Sequence, residues 1–469
     1  MELFLDRGDD RSLSRQLYDQ LRDAIGDGRL PPGGRLQPTR VVAEELGVAR
    51  STVTEAYGRL TAEGYIEGRR GGGSVVQANA AAHAPPAPAR TALTPTPEAS
   101  AVRRYSTDFA ADARYDLTPG RVDARLFPLV EWRRCANRAL GELAGQLGHY
   151  TNPIGSSELR RAVTQWLTRS RGIAATPDQI VITHGAGNAV DVLARVLLRP
   201  GDVAAVEEPG YPPVTNLLRS QGIEVVGVPV DEDGLVVDAL PDAARLVYVT
   251  PSHQYPLGMA LRRDRRLALL RWASRCGAAV VEDDYDSEFR HSSSPMEPLH
   301  RLDRDGRVIY VGTFSKILSP VVRIGFAVVP PGLVEAVTAV RQAVDFGPSP
   351  LVTVALTDFV DRGHLDRHLR RARRVYATRH RAIMAALTTL AGSEVTPLPS
   401  QAGLHVAVLA EAAADVRVFE RASHRGLRLS SLGSTYQFGE PHAGIVLGFG
   451  AIATAAVPDA IELLGSCLA

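Results

Sequence analysis

Of the 53 lysine and arginine side chains in this 469-residue sequence, one is a lysine, Lys316. It lies in Gly312-Thr313-Phe314-Ser315-Lys316-Ile317-Leu318-Ser319-Pro320, with Arg323 seven positions on. A guanidinium stays protonated at any working pH and cannot attack a carbonyl. A lysine amine loses its proton readily in the right surroundings and can form a Schiff base with an aldehyde. Apolar runs at 308–311 and 324–329 flank the segment, which argues against a chance surface lysine.

Three further groups of residues follow apolar runs in the same way. After 180–183 comes His184-Gly185-Ala186-Gly187-Asn188, then a helical pattern over 190–198. Small residues at a helix start let backbone N–H groups approach a phosphate, although an ordinary tight turn has the same spelling. After 278–281 comes Glu282-Asp283-Asp284-Tyr285-Asp286-Ser287-Glu288-Phe289. A carboxylate here could pair with a ring nitrogen and keep it protonated. Clustered acids also suggest a metal, but no histidine or cysteine stands at ligand spacing with them, so no metal is expected. After 203–206 comes Glu207-Glu208-Pro209-Gly210-Tyr211, where Tyr211 could stack on a flat ligand or simply line a rim.

The elements that must position these residues are short apolar runs at 180–183, 203–206, 224–228, 246–250, 278–282, 308–311 and 324–329, separated by helical patterns. That alternation predicts an α/β domain with a mostly parallel sheet, over 114–469. Ligands of such sheets bind beyond the carboxyl ends of the strands, where all four groups lie. A stretch over 77–113, rich in alanine and proline, reads as a flexible linker. Residues 1–76 read as helix, helix, turn, helix and hairpin: Leu13, Leu17, Leu21 and Ile25 recur every four residues, a second helix fits 39–46, and a third begins near Arg50. This is the order of a winged helix-turn-helix, whose third helix enters the major groove. A small protein-interaction domain would share that order. The segment carries 11 arginines against 12 acids, so its charge alone does not announce DNA. The placement of Arg40, Arg50, Arg69 and Arg70 carries the case, with Ser51, Thr52 and Thr54 on the exposed face of the third helix.

The whole-chain charge of +1, with 22% charged and 45% apolar residues, gives no pull toward a membrane. No apolar stretch has the length of a membrane span, and the first residues lack the form of a signal peptide. Three scattered cysteines, Cys135, Cys276 and Cys467, show neither disulfide nor metal spacing and fit a reducing cytoplasm.

Several motifs go further. Gly28-Arg29-Leu30-Pro31-Pro32-Gly33, Leu46-Gly47-Val48-Ala49-Arg50-Ser51-Thr52-Val53 and Glu63-Gly64-Tyr65-Ile66 resemble the GntR-type DNA-binding domain. By that resemblance Arg40 and Arg50 contact DNA, while Gln37-Pro38 and Ala49 depart from the usual pattern. Thr313, Ser315, Lys316 and Arg323 resemble the pyridoxal phosphate (PLP) lysine motif of fold-type I, class I aminotransferases; Tyr150-Thr151-Asn152-Pro153-Ile154-Gly155 and Pro200-Gly201-Asp202 extend the likeness. The resemblance implies that Lys316 holds the PLP aldehyde and that Asp283 meets the pyridine nitrogen. It places Tyr285 on the ring hydroxyl, Tyr211 on the ring face, and Ala186, Gly187, Thr313, Ser315 and Arg323 at the phosphate.

Head, linker and body together resemble the MocR/GabR family of transcriptional regulators, as do Asp116-Leu117-Thr118-Pro119-Gly120 and Thr250-Pro251-Ser252-His253-Gln254-Tyr255-Pro256-Leu257-Gly258. This implies a PLP-dependent homodimer that binds an operator in double-stranded DNA and senses PLP or an amino compound. The second class is an active aminotransferase with an accessory DNA-binding domain. Tyr255, where enzymes usually carry asparagine before proline-x-glycine, favours the regulator. So does the DNA-binding head. By the same resemblance a substrate carboxylate would be clamped by an arginine in the last strand region, here 444–449, or two residues after the stacking tyrosine, here Pro213; neither place holds one, unless Arg323 or Arg428 serves. PLP itself is then the expected signal, in a vitamin B6-responsive regulator. One motif stays unassigned: seven arginines between His364 and Arg381, either a solvated helix face or a contact to a DNA backbone or phosphate ligand.

Overall fold

The computed structural model describes residues 3–69, 73–78, 94–102, 113–145, 148–291, 296–390 and 395–469. They form two compact units, Met1–Pro95 and Thr96–Ala469. In the first, α1 (Leu13–Gly26), α2 (Thr39–Glu45) and α3 (Arg50–Ala62) are followed by an antiparallel hairpin of β1 (Ile66–Arg69) and β2 (Gly73–Val76). The helix stops are the glycines and prolines expected: Gly47, at φ 59°, and Gly64, at φ 78°, take the left-handed backbone that ends α2 and α3. Leu17, Leu21, Ile25, Val53, Ala56, Leu60, Ile66 and Val76 close over one another as a single buried core. That core fixes α3 with Arg50, Ser51 and Thr54 exposed and Thr52 half-buried.

The second unit is built on an eight-stranded sheet in the order Ile180–Thr183, Gly325–Val328, Val308–Thr313, Ala279–Asp284, Ala244–Val249, Val203–Glu208, Glu224–Asp231 and Gly234–Leu235. Gly325–Val328 runs antiparallel to both neighbours, Gly234–Leu235 runs antiparallel to its one, and the remaining pairs are parallel. All seven apolar runs form strands, with boundaries displaced by a few residues at most. The strands are apolar on both faces because both faces are covered. Val281, Val206 and Leu246 pack with the Ala186–Leu197 helix on one side, while Val280, Ala205 and Val247 pack with Leu269 and Trp272 of the Arg263–Cys276 helix on the other.

Two elements were not foreseen. A second, antiparallel sheet pairs Val395–Pro397, His405–Ala410, Gly444–Gly448 and Ser430–Ser431. Within the stretch read as a linker, Pro97–Ala101 is helical; the Thr96 side chain accepts from the Ala99 amide, and proline takes the first helical position, which suits its missing N–H. Arg70 and the side chain of Arg69 lie outside the described residues. Among the described residues no helix is long and apolar enough to cross a membrane.

Candidate functional site

The carboxyl ends of the central strands open into a cavity of about 370 Å³. Lys316, Asp283, Tyr285, Arg323, Tyr211, Ala186, Gly187, Thr313 and Ser315, nine residues drawn from four separate stretches, all line it. Lys316 sits in the short helix Phe314–Ile317 directly after the Val308–Thr313 strand, whose last residue caps that helix by accepting the Ser315 amide at 3.1 Å. Lys316 Nζ donates to the Gly120 carbonyl at 2.6 Å. A Cβ on Gly120 would stand 2.8 Å from that nitrogen, and the backbone there, at φ 81°, is one that glycine adopts readily. Burial lowers the pKa of Lys316, partly offset by the nearby Asp286 and Asp283. A neutral amine is the form that attacks a carbonyl.

Asp283 lies at the end of the Ala279–Asp284 strand. Burial raises its carboxyl to about 7; the hydroxyl of Tyr248, donating at 2.5 Å, works against that rise, and the acids Asp284 and Asp286 add to it. Its other oxygen is buried without a hydrogen-bond partner among the described residues. Such an oxygen costs free energy unless a donor arrives, and a protonated ring nitrogen in the cavity is a donor of the right kind. Across the cavity the helix Ala186–Leu197 begins at Gly185, whose φ of 94° admits glycine and few other residues. Its first amides face outward for an anion. Arg323 joins that end with φ 51°, a left-handed backbone that a non-glycine residue holds only where its surroundings enforce it. The donor set fits a phosphorylated pyridine aldehyde: an amine for the aldehyde, a carboxylate for the ring nitrogen, amides and a guanidinium for the phosphate. Tyr211, 41% exposed, meets Tyr255 edge to face at a ring separation of 5.6 Å.

Four lining or supporting residues had no role in the sequence reading: Tyr248, His253, Asp286 and His405. Tyr285 Oη donates to the His253 carbonyl at 3.0 Å and lies 3.1 Å from His253 Nδ1, which is itself 3.0 Å from Asp286 Oδ1. The expectation that no histidine accompanies the acids is thereby corrected. His253, Asp286 and His405 bring ligand-type atoms within 4.8 Å of one another, because the fold joins segments that no local spacing connects. Hydrogen bonds already hold this group: His253 to Asp286, and His405 Nε2 to the Pro256 carbonyl at 3.1 Å. Arg428 is in the strand Leu427–Arg428, paired with Tyr115–Asp116, and is not among the lining residues.

In the head, Arg50 Nε donates to Thr39 Oγ1 at 3.3 Å, which joins the first turns of α3 and α2. Thr54 returns its hydroxyl to the Arg50 carbonyl at 2.9 Å. Arg40 and Arg50 are exposed and make no ion pair with a described carboxylate, whereas Arg11, Arg15, Arg22, Arg29 and Arg59 are all paired. Arg40 and Arg50, at the helix-turn-helix, thus keep their charge without an acid partner among the described residues, as does the exposed Arg35.

Comparison with known proteins matches residues 13–76 to the bacterial regulatory proteins of the gntR family and residues 121–430 to aminotransferase class I and II. The kynurenine aminotransferase of Pyrococcus horikoshii superposes with a TM-score of 0.72 at 28% identity, covering 80% of this chain and 96% of that one. Fold and site thus define a DNA-binding regulator whose effector unit has the aminotransferase fold. Full-length relatives narrow the class. The probable rhizopine catabolism regulatory protein MocR of Rhizobium meliloti is 38% identical over 99% of this chain and 95% of its own length. The pyridoxine biosynthesis regulator PdxR of Corynebacterium glutamicum is 32% identical over 94% and 92%. The regulator TauR of Rhodobacter capsulatus is 37% identical over 82% and 81%. The chain belongs to the MocR/GabR family of transcriptional regulators.

Proposed function

We propose that this regulator binds PLP covalently through Lys316, acts as a homodimer on paired operator half-sites, and takes PLP itself as its signal. The observation that carries the reading is the charge of the cavity. Its only lysine or arginine side chains among the described residues are Lys316 and Arg323. With Lys316 on the aldehyde and Arg323 on the phosphate, no described cation is left for the carboxylate of an amino acid. An unpaired carboxylate in a closed site costs several kcal/mol. Bound PLP would supply an electrophilic aldehyde on an electron-withdrawing ring. Lys316 would offer the neutral amine, Asp283 would accept the ring N–H, Tyr285 would approach the ring hydroxyl and Tyr211 the ring face. Ala186, Gly187, Thr313 and Ser315 would cradle the phosphate. Arg40, Arg50, Ser51, Thr52 and Thr54 would meet the operator, placing the protein in the cytoplasm and on the nucleoid when bound. The relative named as a pyridoxine biosynthesis regulator supports vitamin B6 metabolism as the controlled process.

Titrating PLP-free protein with PLP while measuring operator affinity tests this reading. A change in affinity or preferred half-site spacing is expected. Equal affinity with and without PLP, together with a shift on adding an amino acid, overturns PLP as the signal. Turnover of amino donors with keto acids would instead favour an active aminotransferase.

A further inference from the structure

The arginine-rich motif left unassigned by the sequence forms one 26-residue helix, His364–Thr389. It carries seven arginines and a single acid, Asp366. Two of the seven are used internally: Arg379 is buried and paired with Asp123, and Arg373 Nε donates to the Glu288 carbonyl at 2.7 Å. The other five, Arg367, Arg370, Arg371, Arg374 and Arg381, are exposed. Their spacings of three, four, seven and fourteen residues put them on one face of the helix. None of the five makes an ion pair with a described carboxylate; the side-chain contacts recorded for them are Arg367 with His364 and the Arg362 carbonyl, and Arg381 with the Thr378 hydroxyl. At 1.5 Å per residue the row is about 21 Å long. That matches the rise of roughly six base pairs of duplex.

Five exposed arginines without an acid partner on one helix face are a local concentration of positive charge in a chain whose net charge is only +1. The head has the opposite balance, 11 arginines against 12 acids over residues 1–76. Affinity for duplex DNA comes largely from counterions released as lysines and arginines neutralise phosphates. A head of net charge −1 supplies little of that term, although its helix-turn-helix supplies base contacts. We propose that the exposed arginine face of His364–Thr389 is a second DNA-contacting surface, on the effector unit, which binds the phosphate backbone without reading sequence. The head then selects the site, and this helix contributes salt-dependent affinity.

The test uses full-length, PLP-free protein and a mixed-sequence duplex of about four helical turns, so it does not depend on the cofactor reading. Affinity is measured between about 50 and 200 mM salt, where each phosphate contact contributes about −0.9 to the slope of log K against log salt. The triple substitution Arg370→Gln, Arg371→Gln, Arg374→Gln should make the slope shallower by about 2.7 and weaken binding at low salt at least tenfold. Its thermal midpoint should stay that of wild type, because the three side chains are exposed and unpaired. Arg→Lys at the same three positions should retain most of the binding, since a phosphate accepts a point charge. An unchanged slope in the glutamine variant overturns the proposal, as does loss of affinity for a single-stranded RNA of the same length without loss for the duplex. Failure of wild type to bind the mixed-sequence duplex at low salt overturns the proposal as well, whereas Arg50→Ala behaving like wild type on an operator is a failure of the head assignment.

Discussion

The two units hold their cations in opposite ways. In the head, arginines stand in water, and five of those around α1 and α3 are neutralised by neighbouring acids. In the effector unit the one lysine is drawn into a cavity, where burial depresses its pKa and the two acids nearest it only partly compensate. The difference follows from what each site must do. A guanidinium that meets phosphate or a guanine edge needs its charge at every pH and a clear approach. An amine that meets an aldehyde needs to lose its charge, which takes desolvation. The head should therefore be indifferent to pH over the range where proteins fold, and the cavity sensitive to it. Each site can be broken without touching the other.

The largest effect is expected at Lys316. Borohydride reduction of protein prepared with PLP should place a pyridoxyl adduct on the peptide that contains it, and Lys316→Ala should abolish the adduct entirely. Lys316→Arg should do the same, because charge is kept and nucleophilicity is not. Operator half-sites presented to either variant without PLP should be bound as by PLP-free wild type. An adduct surviving in Lys316→Ala would dissolve the contrast between the two units.

Asp283 tests the pH side. Its carboxyl rises from 3.8 to about 7 in the folded protein. Between those values the unfolded chain carries the ionised acid while the folded chain keeps its proton. The folded state then binds more protons, so this group lowers stability as pH rises through that window, and adds nothing further above it. Asp283→Asn removes the effect and keeps an acceptor for the Tyr248 hydroxyl. In PLP-free protein the variant should gain on wild type as pH goes from about 4 to 7, with a ceiling of about 4 kcal/mol, and the gain should then level off. Urea melts across that range measure it. A difference that does not vary with pH would mean that Asp283 is solvated.

Arg50→Ala comes next. A bidentate arginine contact to a base is worth about 1–3 kcal/mol, so operator affinity should fall about tenfold or more. PLP occupancy, read from absorbance, should not move. Operator binding equal to wild type would show that α3 is not the reading element.

How much of this was legible depended on how local the signal was. The nine lining residues occur in short motifs after apolar runs, and a strand end needs only a few residues of sequence to declare itself. The turn at Gly185 and the cap at Thr313 are likewise local. Tyr248 was hidden as an ordinary apolar-run residue, since an aromatic in a strand reads as core. His253 and Asp286 stood in view inside motifs, but their contact joins segments 33 residues apart. His405 was out of reach because it begins a strand of the second sheet, whose antiparallel partner Gly444–Gly448 lies far along the chain, beyond the Arg417–His424 helix. Pro97–Ala101 was missed because composition outweighed the threonine-proline start signal. The arginine run was visible as composition; which five of its members stay unpaired is a matter of tertiary packing.

The smallest effect sharpens the comparison through size. Ser12 caps α1, its Oγ accepting from the Arg15 amide at 3.3 Å. Ser156 caps the Ser157–Arg171 helix of the effector unit in the same way, accepting from the Leu159 amide at 3.2 Å. Replacing either serine with alanine removes one partner of an end amide and costs about 1 kcal/mol. The unfolding entropy over which that cost is spread grows with chain length. In a unit the size of the head, about 1 kcal/mol moves the midpoint by roughly 4–8 °C; in units of 150–250 residues it moves it by only about 2–4 °C, and the effector unit is larger still. Calorimetry of full-length protein should therefore show Ser12→Ala lowering a head transition by several degrees with the effector transition in place. Ser156→Ala should lower the effector transition by no more than about 2 °C and leave the head alone. If either substitution shifted both transitions together, the head and the effector unit would be one cooperative body, and the separate handling of charge in each could no longer be tested one unit at a time.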